Sequence, residues 1–152
     1  MIEPGDPAPD FALESDDGGT VRLADLRGAR TVLYFYPKDD TTGCTVQACE
    51  YRDLNDDFTH AGARVLGVSP DPLASHERFR RKHGLNFTLL SDPDHSAAEA
   101  YGVWVEKSMY GRKYMGIERS AFVIGPDGTV EQAFYKVKAK GNAGAVLEAL
   151  KG

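Results

Sequence analysis

The chain has 152 residues, 41% of them hydrophobic and 27% charged, with a net charge of −5 and two cysteines. That size and balance suit a single globular domain over residues 1–152, with room for a real core. There is no long basic run, and no apolar run approaches the roughly 18 residues of a membrane span, so neither nucleic acid nor membrane is an expected partner.

The start, Met1-Ile-Glu-Pro-Gly-Asp, is acidic and polar and lacks the character of a secretory leader. A cytoplasmic protein is therefore expected, in which cysteines point to catalysis or metal binding more than to a staple. Residues 1–10 read as an extended arm. Phe11-Ala-Leu and Val21-Arg-Leu flank the turn signal Asp16-Asp-Gly-Gly and predict an N-terminal hairpin, with one helical turn over Leu23 to Leu26. Thr31 to Tyr36 is a buried strand stopped by Pro37. A helix then runs from Thr42 to about His60, with Gly62 as its stop.

Arg64 to Ser69 and Phe87 to Ser91 are further buried strands. A helix over Leu73 to Lys82, capped by Gly84, lies between them, and a short one over Ser96 to Tyr101 follows. Residues 103–117 show no clear period and read as a loop. Arg119 to Ile124 and Thr129 to Val137 form a hairpin about Pro126-Asp-Gly, and Ala143 to Leu150 is a closing helix. Alternating strands and helices argue for parallel strands with crossover helices. An α/β fold follows, with a central mixed β-sheet flanked by helices and extended by the N-terminal hairpin.

Both cysteines, Cys44 and Cys49, lie in the helix after the first long strand. Cys44 falls in its first turn, where free N–H groups and the helix dipole favour a thiolate. On a helical wheel Val46, Tyr51, Leu54, Phe58 and Ala61 gather within about 140° as the core face. Cys44 lies at the edge of that face, shielded. Cys49 lies on the far side, exposed among Arg52, Asp53 and Asp56. In an intact helix their Cα atoms stand roughly 8–9 Å apart, beyond the 4.4–6.8 Å of a disulfide. They pair only if the first turns unwind, which suits a reactive pair and not a static staple.

Arg119 opens an apolar strand and is the best candidate cation for a thiolate, because it cannot lose its proton. Thr41 offers a hydroxyl before the helix, and Pro37 fixes the loop and shields the thiol. Such donors suit attack of Cys44 on an O–O bond, giving a sulfenic acid that Cys49 can condense into a disulfide. His60, His76, His83 and His95 show no metal-ligand spacing with the cysteines, so no metal is expected.

Pro37-x-x-x-Thr41-x-x-Cys44 with a strand arginine at Arg119 resembles the peroxiredoxin active-site signature. The segment Gly43-Cys-Thr-x-Gln-Ala-Cys49 resembles the bacterioferritin comigratory protein, or peroxiredoxin Q, branch, as do Gly5-Asp-Pro-Ala-Pro-Asp-Phe and Ser69-Pro-Asp. The resemblance implies a thioredoxin-like fold and a thiol peroxidase acting on hydrogen peroxide and small organic hydroperoxides. It implies Cys44 as peroxidatic and Cys49 as resolving cysteine, reduction by thioredoxin or a similar dithiol, no cofactor or metal, and a monomer or dimer. A thiol–disulfide oxidoreductase on this fold would want Cys-x-x-Cys, which is absent; a redox sensor is the other alternative.

Overall fold

The computed structural model describes residues 1–151. Its strands are β1 (Ala12–Ser15), β2 (Thr20–Arg22), β3 (Arg30–Phe35), β4 (Ala63–Ser69), β5 (Thr88–Ser91), β6 (Trp104–Met109), β7 (Arg112–Ile117), β8 (Ser120–Ile124) and β9 (Val130–Phe134). Its α-helices are α1 (Thr42–His60), α2 (Leu73–His83), α3 (Ser96–Ala100) and α4 (Asn142–Lys151), and Leu23–Leu26 forms one 3-10 turn.

Seven strands make one sheet in the order β2-β1-β5-β4-β3-β8-β9. β3, β4 and β5 run parallel, because α1 and α2 carry the chain back between them. The β1–β2 hairpin joins antiparallel to β5, and the β8–β9 hairpin joins antiparallel to β3. This is the mixed sheet with an N-terminal hairpin that the sequence predicts.

Strand alternation divides the core into two layers. Val32, Tyr34, Val65, Leu89 and Val123 pack with Ala48, Tyr51 and Phe58 of α1, Phe79 of α2 and Val146 of α4. Leu33, Phe35, Leu66, Val68 and Phe122 face the opposite layer, closed by Ala97 and Ala98 of α3 and by Phe11 and Tyr101. Among the described residues, no helix is long and apolar enough to cross a membrane.

Several expectations change. Of residues 103–117, read as a loop, residues 104–117 form the antiparallel β6–β7 hairpin, a separate two-stranded sheet. Tyr110 and Gly111 have φ of 52° and 78°, the two left-handed residues of a type I′ turn. Tyrosine is not a usual turn residue, and both strands are largely exposed, so neither turn chemistry nor alternation marks the hairpin.

On α1, Val46 is 38% exposed and does not join the core. The buried stripe is Cys44, Gln47, Ala48, Tyr51 and Phe58. A fully buried glutamine occupies this face, and counting apolar residues alone rotates the wheel toward Val46. Cys44 therefore lies within the core face and not at its edge, and Cys49 is half-buried where exposure was expected.

Candidate active site

β3 delivers the chain to the site. Tyr36 N–H still donates to Val68 C=O at 3.0 Å, and the half-buried Pro37, with no N–H, ends the ladder. The loop over residues 37–41 closes on itself through Thr41 Oγ1, which donates to Lys38 C=O at 2.9 Å. Thr41 is the residue before α1 and makes no side-chain cap bond. The helix ladder begins with Thr45 N–H to Thr41 C=O at 2.9 Å. The N–H groups of Thr42, Gly43 and Cys44 thus precede the ladder, at the positive end of the helix. Cys44 sits there with only 2% of its surface exposed.

Arg119 reaches this helix end from just before β8. Its C=O accepts from Val137 N–H at 3.0 Å, which fixes its backbone. Its Nη1 donates to Cys44 Sγ at 3.5 Å and to Gln47 Oε1 at 2.6 Å. Gly43 permits the approach, since a Cβ there would lie 3.2 Å from Arg119 Nη2.

Gln47 passes the contact inward. Its Nε2 donates to Asn142 Oδ1 at 2.9 Å, and Tyr51 OH donates to the same oxygen at 2.8 Å. Burial, helped by the charge of Glu50, pushes the Tyr51 phenol above its ordinary value, so it stays a donor. Its ring stacks on Tyr34 at 4.4 Å. One chain of contacts therefore runs from α4 through α1 to Arg119. Lys107 of β6 is half-buried beside it: burial and then the Arg119 charge hold its ammonium below the ordinary value, against the opposing pull of Cys44 and Glu118.

The structure thus brings Cys44 and Arg119 into contact and sets Thr41 and Pro37 in the adjoining loop. The Thr41 hydroxyl is exposed and engaged with Lys38. Cys44 and Cys49 are both free thiols on one unbroken helix. Sequence reasoning missed Gln47 and Lys107 beside Arg119, and Asn142 behind Gln47. Gln47 stood in view between the two cysteines. Asn142 and Lys107 carried no signal, because their partners are distant in the chain.

Asp39, Asp71 and His76 bring ligand-type atoms within 4.8 Å of one another, a grouping that sequence spacing does not show. Those atoms are committed to hydrogen bonds with each other and with Tyr36, Ser69 and Ser75. The donor set is therefore satisfied as a hydrogen-bond network.

The sequence matches the AhpC/TSA family over residues 4–133. It is 47% identical over 150 residues to peroxiredoxin Bcp of Bacillus subtilis, covering 99% of this chain and 96% of that protein. It is 48% identical over 150 residues to peroxiredoxin Bcp of Escherichia coli, with the same 99% and 96% coverage. The fold is similar to a solved structure of Xanthomonas campestris bacterioferritin comigratory protein, with a TM-score of 0.88 and 45% identity over 93% of this chain and 90% of that one. That structure is described in connection with the Xanthomonas protein's alkyl peroxide reduction activity.

Proposed function

The chain belongs to the AhpC/TSA family and is a thiol-dependent peroxidase on a thioredoxin-like fold, and from that premise we propose that Cys44 is the peroxidatic thiol and Cys49 its resolving partner. The observation that carries the assignment is the 3.5 Å contact of Arg119 Nη1 with Cys44 Sγ at the N-terminus of α1.

A thiolate at that place faces a fixed guanidinium and unpaired helix N–H groups. The sulfur attacks one peroxide oxygen, an S–O bond forms as the O–O bond breaks, and the departing oxygen takes a proton and leaves as water or alcohol. Donors that hold charge on sulfur also hold it on the leaving oxygen. Thr41 orients the peroxide through its hydroxyl, and Pro37 keeps bulk water from the thiol.

The Cys49 thiol then attacks the Cys44 sulfenic sulfur, forming the disulfide and releasing water. α1 must unwind locally for this, since an intact helix holds the pair beyond bonding distance. Thioredoxin or a similar dithiol reopens the disulfide by exchange. Hydrogen peroxide and small organic hydroperoxides are the substrates. Peroxide is the oxidant and the dithiol the reductant, so the cycle balances without a cofactor.

The test is stopped-flow oxidation by hydrogen peroxide with intact-mass readout of wild type, Cys44→Ser and Cys49→Ser. Fast reaction ending in a Cys44–Cys49 disulfide, and abolished only in Cys44→Ser, is the expected result. A rate no better than a free thiol in wild type overturns the assignment.

A further inference from the structure

α2 holds the catalytic loop through a buried ion pair that the peroxide chemistry above does not use. His76 has no exposed surface, and Asp39, in the loop between β3 and α1, is 8% exposed. Asp39 Oδ2 accepts from His76 Nδ1 at 2.7 Å and from Ser75 Oγ at 2.8 Å, while its Oδ1 accepts from Tyr36 OH at 2.6 Å. The other ring nitrogen, His76 Nε2, faces Leu90 C=O of β5 at 2.9 Å. Both ring nitrogens face acceptors, an arrangement that a protonated ring satisfies by donating on both sides.

The surroundings agree with that charge. Burial alone favours the neutral ring, but the bond to Asp39 and its charge, the Leu90 carbonyl and the charge of Asp71 outweigh it and raise the pKa. Tyr36 stays neutral beside the pair, because burial and the Asp39 charge raise its pKa. The loop backbone is tied down as well: Asp39 N–H donates to Asp71 Oδ2 at 2.7 Å, and Ser69 Oγ donates to the same oxygen at 2.8 Å. One residue on, Asp40 pairs with Lys82 at 2.8 Å and His83 at 2.9 Å, both on α2. His76 and His83 are seven positions apart, so one face of α2 supports two successive loop residues.

We infer that His76 and Asp39 are a positioning pair for the peroxidatic step: they lock the Pro37–Thr41 loop onto α2 and so set the first turn of α1, with Cys44, in line with Arg119. The inference rests on the reading of Cys44 as the peroxidatic thiol. A loop tied at Asp39 leaves the residues after Thr41 as the part of the chain that unwinds. The pair therefore serves peroxide attack and is not needed for disulfide closure.

The test is stopped-flow oxidation by hydrogen peroxide, resolving the first step from disulfide closure, with a melting curve for each protein. It compares wild type, His76→Gln, the charge-neutral pair Asp39→Asn/His76→Gln, and Ile124→Val as a stability control at the far end of β8. His76→Gln should slow the first step roughly tenfold or more while closure is not slowed, as expected for a displaced reacting group. The double substitution leaves two neutral groups able to hydrogen-bond, and should recover most of that rate. Ile124→Val should melt lower and oxidise as wild type does.

A wild-type first-step rate in His76→Gln overturns the inference, as does equal slowing of both steps or equal slowing in the control. Should His76→Gln not fold, Asp39→Asn alone decides: a slowed first step with closure not slowed supports the pair, and wild-type rates for both steps overturn it. Failure of the underlying reading looks different, since wild type would then react no faster than Cys44→Ser.

Discussion

Arg119 and Cys44 meet at 3.5 Å through the same Nη1 that donates to Gln47 at 2.6 Å. The thiol contact is thus steered by a buried amide one helical turn along α1. Gln47 is in turn held by Asn142 of α4. The cation is aimed by tertiary packing, and its position along the sequence gives no hint of that aim.

Arg119→Lys is expected to slow Cys44 oxidation by about 10²-fold, measured by stopped flow. A lysine is a compact point charge whose ammonium ends short of the Nη1 position, and it lacks the rigid plane that aims one N–H at sulfur and the other at the amide. A variant that retains the wild-type rate would mean that charge alone suffices.

Gln47→Leu should lower stability by about 1–3 kcal/mol in urea titrations and slow the peroxide step as well. It leaves Arg119 unsteered and removes one donor from the buried Asn142 Oδ1, which keeps only Tyr51. Loss of stability with an unchanged oxidation rate would separate the amide from the thiol.

Gly67→Ala should destabilise without touching the chemistry. A Cβ at Gly67 would stand 3.0 Å from Leu89 Cδ2 and from the ring and hydroxyl of Tyr34, all in a packed core. The overpacking is expected to cost about 1–3 kcal/mol in a thermal or urea melt. A neutral effect would require Tyr34 to leave its stack on Tyr51.

In the disulfide form, amides of residues 43–50 should exchange hydrogen faster than in the dithiol form, because α1 must unwind there for Cys44 and Cys49 to bond. Equal protection in both forms, read by mass spectrometry, would show that the pair closes without unwinding.

Stability should fall as pH rises through the native pKa of His76, which lies above the ordinary value of 6.5. A raised native pKa means the folded protein binds the proton more tightly, so its contribution is whole below the unfolded pKa and is lost above the native one. Urea unfolding from about pH 6 to about pH 9 should show this fall in wild type relative to Asp39→Asn/His76→Gln. Parallel curves would mean a neutral ring.

The sequence by itself determined the chain order of the helices and of the strands of the seven-stranded sheet, the extent of α1 and the place of Cys44 in its first turn. These are local matters: proline and glycine stop elements, and apolar periodicity marks the buried strands. It also singled out Arg119, because a charge at the start of an apolar strand is conspicuous. Only the tertiary structure decided which face of α1 is buried, since Gln47 is a polar residue satisfied by Asn142, far along the chain. It alone showed the β6–β7 hairpin, whose Tyr110-Gly111 turn and exposed strands leave no pattern. And it alone joined Asp39 to His76, a pair separated by 37 positions whose burial is offset by hydrogen bonds to each other and to Tyr36, Ser75 and Leu90.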